Sequence, residues 1–249
     1  MLYKPLDQLS EQLNPGACRL AHLPERIWVF GGTGSFKTDG DSHPQSLRES
    51  FWRQTLNAIP STEREWVSHL DFPENYPGWW AFSGYDDLLT FERDACHLAR
   101  AIILFPESPG ALAELGALSI DNVLVERLMV VVQGKFLELN QRESFLNLGP
   151  IKRAEVRGLR CVIGVETGPV LLVDDFQVIL EFLTKKLPQV RNTEALRVSN
   201  PTHKLLLIAD LVDLLLVCKL PELRAAVEYF GFDSTNDDIR RAAKLLHFF

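Results

Sequence analysis

Short apolar runs alternate with amphipathic stretches through the first 190 residues. Ile27-Trp28-Val29-Phe30, Trp66-Val67-Ser68-His69-Leu70, residues 100–105, Leu128-Met129-Val130-Val131-Val132 and residues 159–165 each have the length and content of a buried strand. Between them, residues 44–59 (Leu47, Phe51, Leu56, Ile59), 85–99 (Leu88, Phe91, Ala95, Leu98), 110–122 and 174–186 carry apolar positions near helical spacing. Pro44 is suited to the first residue of the first helix. Strands alternating with helices in this way predict an α/β fold with a Rossmann-like, doubly wound parallel sheet. The stretch 72–84, rich in Pro, Gly and aromatics, reads as a long loop, and 134–158 as a looser segment. From Ser199 the pattern changes: 205–217, 221–230 and 236–249 read as helices without strands between them, with a linker at 192–201. The expected division is a catalytic domain of residues 1–191 and a helical C-terminal domain of residues 192–249.

Composition narrows the function classes. The 249 residues carry a net charge of −7, which argues against a broad nucleic-acid-binding surface. Cys18, Cys96, Cys161 and Cys218 are scattered, and neither they nor the histidines have metal-ligand spacing, so no metal is expected. The N-terminus lacks a secretory pattern, and the longest apolar run, 205–217, is interrupted by Asp210 and Asp213. A cytoplasmic protein with no membrane association is expected.

Two loops invite a ligand. Gly31-Gly32-Thr33-Gly34-Ser35 follows the first strand; its backbone N–H groups could face a phosphate or ribose, or the glycines could simply serve a tight turn. It is not a complete dinucleotide fingerprint. Phe105-Pro106-Glu107-Ser108-Pro109-Gly110 follows the third strand and opens a helix. There Ser108 is suited to cap the helix, Gly110 permits close backbone approach, and Glu107 could bind ribose hydroxyls or helix-end N–H groups. Glu114 lies about one turn into that helix among Ala, Leu and Gly, where a carboxylate has little structural reason to be. A carboxylate there can stabilise or bond to an anomeric carbon during N-glycosidic cleavage. The Gly116 that follows costs helix stability, which tight packing or ligand approach would explain. Glu92, Asp86 or Asp87 could supply an acid or form a solvated face, and Asn147 could bind a hydroxyl or serve an ordinary turn.

Three motifs in order, residues 101–110, Glu114-Leu115-Gly116-Ala117 and Phe145-Leu146-Asn147-Leu148-Gly149-Pro150, with Leu88-Leu89-Thr90-Phe91-Glu92 upstream, carry a family likeness over residues 27–157. The chain resembles the bacterial retron effectors that are similar to nucleoside deoxyribosyltransferases. The resemblance implies a nucleoside deoxyribosyltransferase-like domain followed by a helical, DNA-binding-like domain, here short for a winged helix. It implies an N-glycosidase toxin of an antiviral defence system, with NAD as the expected substrate and no cofactor. It also implies a reverse transcriptase and multicopy single-stranded DNA (msDNA) as partners that hold the toxin inactive, and an oligomer whose neighbouring protomer completes the site. On this sequence it places the nucleophile at Glu114 and substrate contacts at Gly31, Gly32, Glu107, Ser108 and Gly110, with Glu92 as a second catalytic residue and Asn147 as a further contact. Two other readings share the pocket: a nucleotide-sensing module without catalysis, and a nucleoside deoxyribosyltransferase of salvage metabolism.

Overall fold

The computed structural model describes residues 10–21, 25–33, 43–58, 65–76, 85–138, 142–157, 162–166, 168–186 and 193–246. Their strands are β1 (Arg19–Ala21), β2 (Ile27–Phe30), β3 (Leu70–Asp71), β4 (Ala101–Leu104), β5 (Leu128–Gln133), β6 (Val162–Val165) and β7 (Thr193–Ala195). The helices are α1 (Leu47–Ala58), α2 (Leu88–His97), α3 (Pro109–Ile120), α4 (Lys152–Arg157), α5 (Val173–Lys186), α6 (Pro201–Leu215), α7 (Leu220–Tyr229) and α8 (Asn236–Leu246). They divide into two compact units interleaved in sequence, one formed by residues 25–77 and 99–190, the other by 1–24, 78–98 and 191–249.

The first unit is built on a five-stranded parallel sheet of order β3-β2-β4-β5-β6. This is a mixed α/β architecture compatible with a Rossmann-like fold. Parallel strands buried on both faces need continuous apolar runs rather than alternation. Accordingly, every residue of β2 and β4 is buried, as are Leu128 to Val132 of β5. One face packs Ile27, Val29, Ala101, Ile103, Met129 and Val131 against Leu47 and Phe51 of α1 and Phe176, Ile179 and Leu183 of α5. From β2 the chain moves outward to β3 and then returns past β2 to β4. That reversal puts a topological switch point at the carboxyl ends of β2 and β4, where open α/β sheets form ligand crevices.

Three expectations are corrected in this unit. The strand read at 66–70 is a 3-10 turn over Glu65–His69, and only Leu70 and Asp71 pair with Ile27 and Trp28. As an edge strand it has one neighbour, and the Asp71 carboxylate is turned to Arg26 and the Tyr76 hydroxyl. Pro44 does not start α1. Ser46 does: its Oγ accepts the Glu49 N–H at 3.0 Å, and the Glu49 carboxylate reaches back to the Gln45 N–H at 2.8 Å. The segment 134–158 is not loose throughout, since a π-helical turn at Asn147–Ile151 runs directly into α4.

The second unit contains α2, which lies between β3 and β4 in sequence, together with α6, α7 and α8. These three pack on one another, and α6 also packs on α2, where His97 Nδ1 lies 3.2 Å from Thr202 Oγ1. Asn200 caps α6 by accepting the Thr202 N–H, with Pro201 as the first helical residue. The stretch read as linker contains β7, which pairs antiparallel with β1. Its Thr-Glu-Ala sequence, exposed at Thr193 and Ala195, has no apolar run to betray it. Among the described residues no helix is long and apolar enough to cross a membrane.

Candidate functional site

At the switch point the two candidate loops are bound to each other. The Glu107 carboxylate accepts three backbone N–H groups: Gly32 and Arg48 through Oε1, each at 3.1 Å, and Leu47 through Oε2 at 2.7 Å. The first N–H groups of a helix have no partner within it, and their partial positive charge favours an anion. Glu107 is that anion for α1. Both glycines pack tightly here. A Cβ on Gly31 would lie 2.9 Å from Arg48 Cβ and 3.0 Å from Phe105 Cβ; one on Gly32 would lie 3.0 Å from Glu107 Cγ. The Gly32 N–H is thus directed at Glu107.

Ser108 caps α3, its Oγ accepting the Ala111 N–H at 3.1 Å, with Pro109 at the first helical position. Gly110 is exposed in the same first turn, and a Cβ there would meet only Ser108 Oγ, at 3.9 Å. One turn further on stands Glu114. It is partly buried, and its Oε2 is fully shielded from solvent with no hydrogen-bond partner among the described residues. Burial pushes its carboxyl up to about 7; Arg48 opposes this and Glu74 adds to it. Perturbation of this kind by desolvation and specific charges is characteristic of functional carboxylates.

Sequence reasoning missed Arg48 and Glu74. Arg48, the second residue of α1, is 2% exposed. Its guanidinium forks onto Glu74, Nη1 to Oε2 at 3.0 Å and Nη2 to Oε1 at 2.5 Å. Nη1 also faces the Val29 carbonyl at 3.5 Å. The pair is 26 residues apart in sequence, and neither residue belongs to a recognisable motif.

The remaining candidates fall into other settings. Asn147 starts the π-helical turn, and its Nδ2 donates to the Phe136 carbonyl at 2.5 Å and to Ser144 Oγ at 3.2 Å. Glu92 is buried on α2, in the second unit. Asp87 caps α2, accepting from both the N–H and the hydroxyl of Thr90. Gly116 is not tightly packed: a Cβ there would meet nothing within 4 Å. It opens instead on a groove of about 510 Å³ with Ile120, Phe145, Leu148 and Val156.

The site lies within a matched family. The chain is 37% identical over 154 residues to the "Retron Ec86 putative ribosyltransferase/DNA-binding protein" of Escherichia coli, covering 59% of this chain. It is 40% identical over 67 residues to the "Retron Ec73 putative ribosyltransferase/DNA-binding protein" of the same organism, covering 27% of this chain. The matches take in 44% and 20% of those relatives, so this chain corresponds to less than half of either protein's length. The family model described as STM3845 retron effector protein matches residues 44–249, and the chain therefore belongs to that retron effector family.

Proposed function

We propose that this protein is the toxin of a retron antiviral defence system and cleaves an N-glycosidic bond, with NAD as substrate. The observation that carries this is Glu114: a desolvated carboxylate oxygen with no hydrogen-bond partner among the described residues, held one turn behind a capped strand-to-helix turn. Once ionised, a carboxylate oxygen without a fixed donor has its charge available to an oxocarbenium ion. The names of the two relatives, ribosyltransferase in each case, support chemistry at a ribosyl carbon.

NAD fits this site on chemical grounds. Its nicotinamide leaves as a neutral base from a cationic pyridinium, so cleavage needs no acid to protonate the leaving group. A neutral nucleoside would need one. The second carboxylate that acts on Glu114, that of Glu74, is ion-paired to Arg48 and poorly placed to donate a proton. Attack by Glu114 forms a bond from its oxygen to the anomeric carbon as the bond to nicotinamide breaks; water then releases ADP-ribose and frees the carboxylate. Asn147 contacts substrate, and the Gly31, Gly32, Glu107, Ser108 and Gly110 turns shape the walls of the site. A toxin that consumed NAD without restraint would kill its host, so a reverse transcriptase and msDNA control the chain, within an oligomer.

The test is nicotinamide release from NAD by the purified chain, alone and with reverse transcriptase and msDNA. Wild type is expected to release nicotinamide under activating conditions, and Glu114→Gln to lose at least a thousandfold in rate. Equal, background-level release by both overturns the reading and leaves a nucleotide-binding module.

A further inference from the structure

We propose that two copies of this chain associate by seating the turn between α6 and α7 of one copy in the groove beside α3 of the other. This gives a surface to the oligomer proposed above and depends on no step of the chemistry at Glu114.

The groove is bounded by α3, the π-helical turn and α4. Its floor is apolar: Ile120, Phe145, Leu148 and Val156 are all exposed there, Phe145 by 85%. At about 510 Å³ it has room for several aliphatic side chains. Apolar surface gathered in one place marks a contact with another molecule. The rim is Lys152, Arg153 and Arg157, and among the described residues no acidic side chain lines the groove, in a chain of net charge −7. Two of these cations are braced against the end of α3. Arg153 donates from Nε to the Ser119 carbonyl at 2.5 Å and from Nη2 to Asn122 Oδ1 at 2.8 Å, and Arg157 Nη1 reaches the same oxygen at 3.1 Å. Such a groove fits an occupant that is apolar at its centre and acidic at its edge. With a single aromatic ring on an aliphatic floor, it suits aliphatic side chains better than the stacked bases of a nucleic-acid strand.

The α6–α7 turn has that chemistry. Leu214, Leu216 and Val217 are exposed, Leu216 by 83%, and Asp210 and Asp213 are exposed on the last turns of α6. Leu216 has φ 54° and ψ −49°, and the Val217 N–H donates to the Leu215 carbonyl at 2.5 Å, which makes a γ-turn of the strained hand. Among the described residues it is the one non-glycine with positive φ. Holding a leucine in that conformation, turned to solvent, gives this copy's own core nothing, and backbone outliers of this kind gather where another molecule is gripped. A knob with an acidic flank and a hole with a cationic rim are unlike patches, so the contact they make is heterologous. Opposite charge sets its orientation, and burial of the leucine and valine side chains holds it.

Sedimentation equilibrium of the full chain over a range of concentrations tests this. Wild type should show an average mass rising above the 28.2 kDa of one chain. Phe145→Glu puts an anion in the hole, and Leu216→Asn removes the knob while keeping a residue that tolerates positive φ. Both positions are exposed, so neither change disturbs the core. Each should raise the dissociation constant at least tenfold. Val173→Glu, at an exposed valine beside Asp174 on α5, should leave it unchanged. An equimolar mixture of Phe145→Glu and Leu216→Asn retains one intact contact, the turn of the first in the groove of the second. It should form a 1:1 pair where neither variant associates alone. Wild type that stays at the mass of one chain, association that survives both variants or is lost in Val173→Glu, or variants that fail to complement each other overturns the proposal. So does a monomeric chain whose groove takes up a single-stranded thymidine oligonucleotide and loses it in Phe145→Glu. None of these readouts involves nicotinamide, so failure here leaves the glycosidase reading standing, and failure of that reading leaves this contact untouched.

Discussion

Glu107 Oε2 accepts the Leu47 N–H at 2.7 Å, across 60 residues of sequence. With the Gly32 and Arg48 N–H groups on Oε1, this makes one side chain the joint between the β2 turn, the β4 turn and the start of α1. Anions commonly occupy helix N-termini, and here the protein supplies its own.

Removing that anion strands three N–H donors in a partly buried place. Glu107→Ala is expected to lower stability by about 2–3 kcal/mol, in the range found when buried donors lose their acceptor. Glu107→Gln keeps one acceptor oxygen and should lose less. Urea denaturation reads this as a lower midpoint at unchanged slope. An unchanged midpoint in the alanine variant would show that the joint contributes nothing to stability.

Two glycines should respond to alanine with opposite signs. At Gly31 the added methyl meets Arg48 Cβ at 2.9 Å and Phe105 Cβ at 3.0 Å, both held by the backbone. Overpacking of that kind costs about 1–3 kcal/mol. At Gly116 the methyl meets nothing, and alanine is the better helix former by up to about 1 kcal/mol. Thermal or urea unfolding of the two variants should therefore move the midpoint down for Gly31→Ala and up for Gly116→Ala.

Much of this arrangement was legible in the sequence because burial on two faces leaves a plain signal. β2, β4 and β5 are unbroken apolar runs, and their order with α1, α3 and α5 followed from alternation. β3 was misplaced because an edge strand of two residues needs no such run, and β1 and β7 were invisible for the same reason. At the site, Ser108 and Glu114 stood out locally, one as a cap and one as an acid among apolar neighbours. Arg48 and Glu74 did not. On an amphipathic helix an arginine reads as part of the polar face, and only the tertiary fold turns this one inward onto a carboxylate 26 residues away. Likewise Glu107 had two readings, and only the fold brings the α1 N-terminus to it.

The Asn147 amide distinguishes a clasp from a ligand. Its Nδ2 donates to the Phe136 carbonyl, so Asn147→Asp would set a carboxylate against that carbonyl, whereas Asn147→Ala only removes the donor. The aspartate variant should accordingly be the less stable of the two, with the alanine variant losing about 1–2 kcal/mol. If Asn147 also touches substrate, Asn147→Ala will raise KM for NAD by more than its lost stability accounts for. Urea unfolding alongside steady-state kinetics separates the two contributions.

The raised Glu114 carboxyl predicts a stability that depends on pH in a particular direction. Its ordinary value is 4.5, and in the folded chain it stands at about 7, chiefly through burial. Between those values the folded protein holds a proton that the unfolded chain has released. Stability contributed by this group is therefore present below pH 4.5 and lost as pH rises through 7. One unit is roughly 1.4 kcal/mol, but the group is only partly buried, so a discounted loss of about 1–3 kcal/mol is expected. Glu114→Gln has no proton to release. The difference in unfolding free energy between Glu114→Gln and wild type should therefore grow in favour of the variant from pH 5 to pH 8. Groups common to both proteins cancel in that difference. Urea unfolding at the two pH values measures it, and an equal difference at both would mean that the carboxylate is as well solvated in the fold as out of it. The same titration bears on activity, since the ionised form is the one that can meet a developing positive charge. Nicotinamide release should rise with pH over the range in which Glu114→Gln gains its stability advantage, so that the group's destabilising charge and its catalytic one are the same charge.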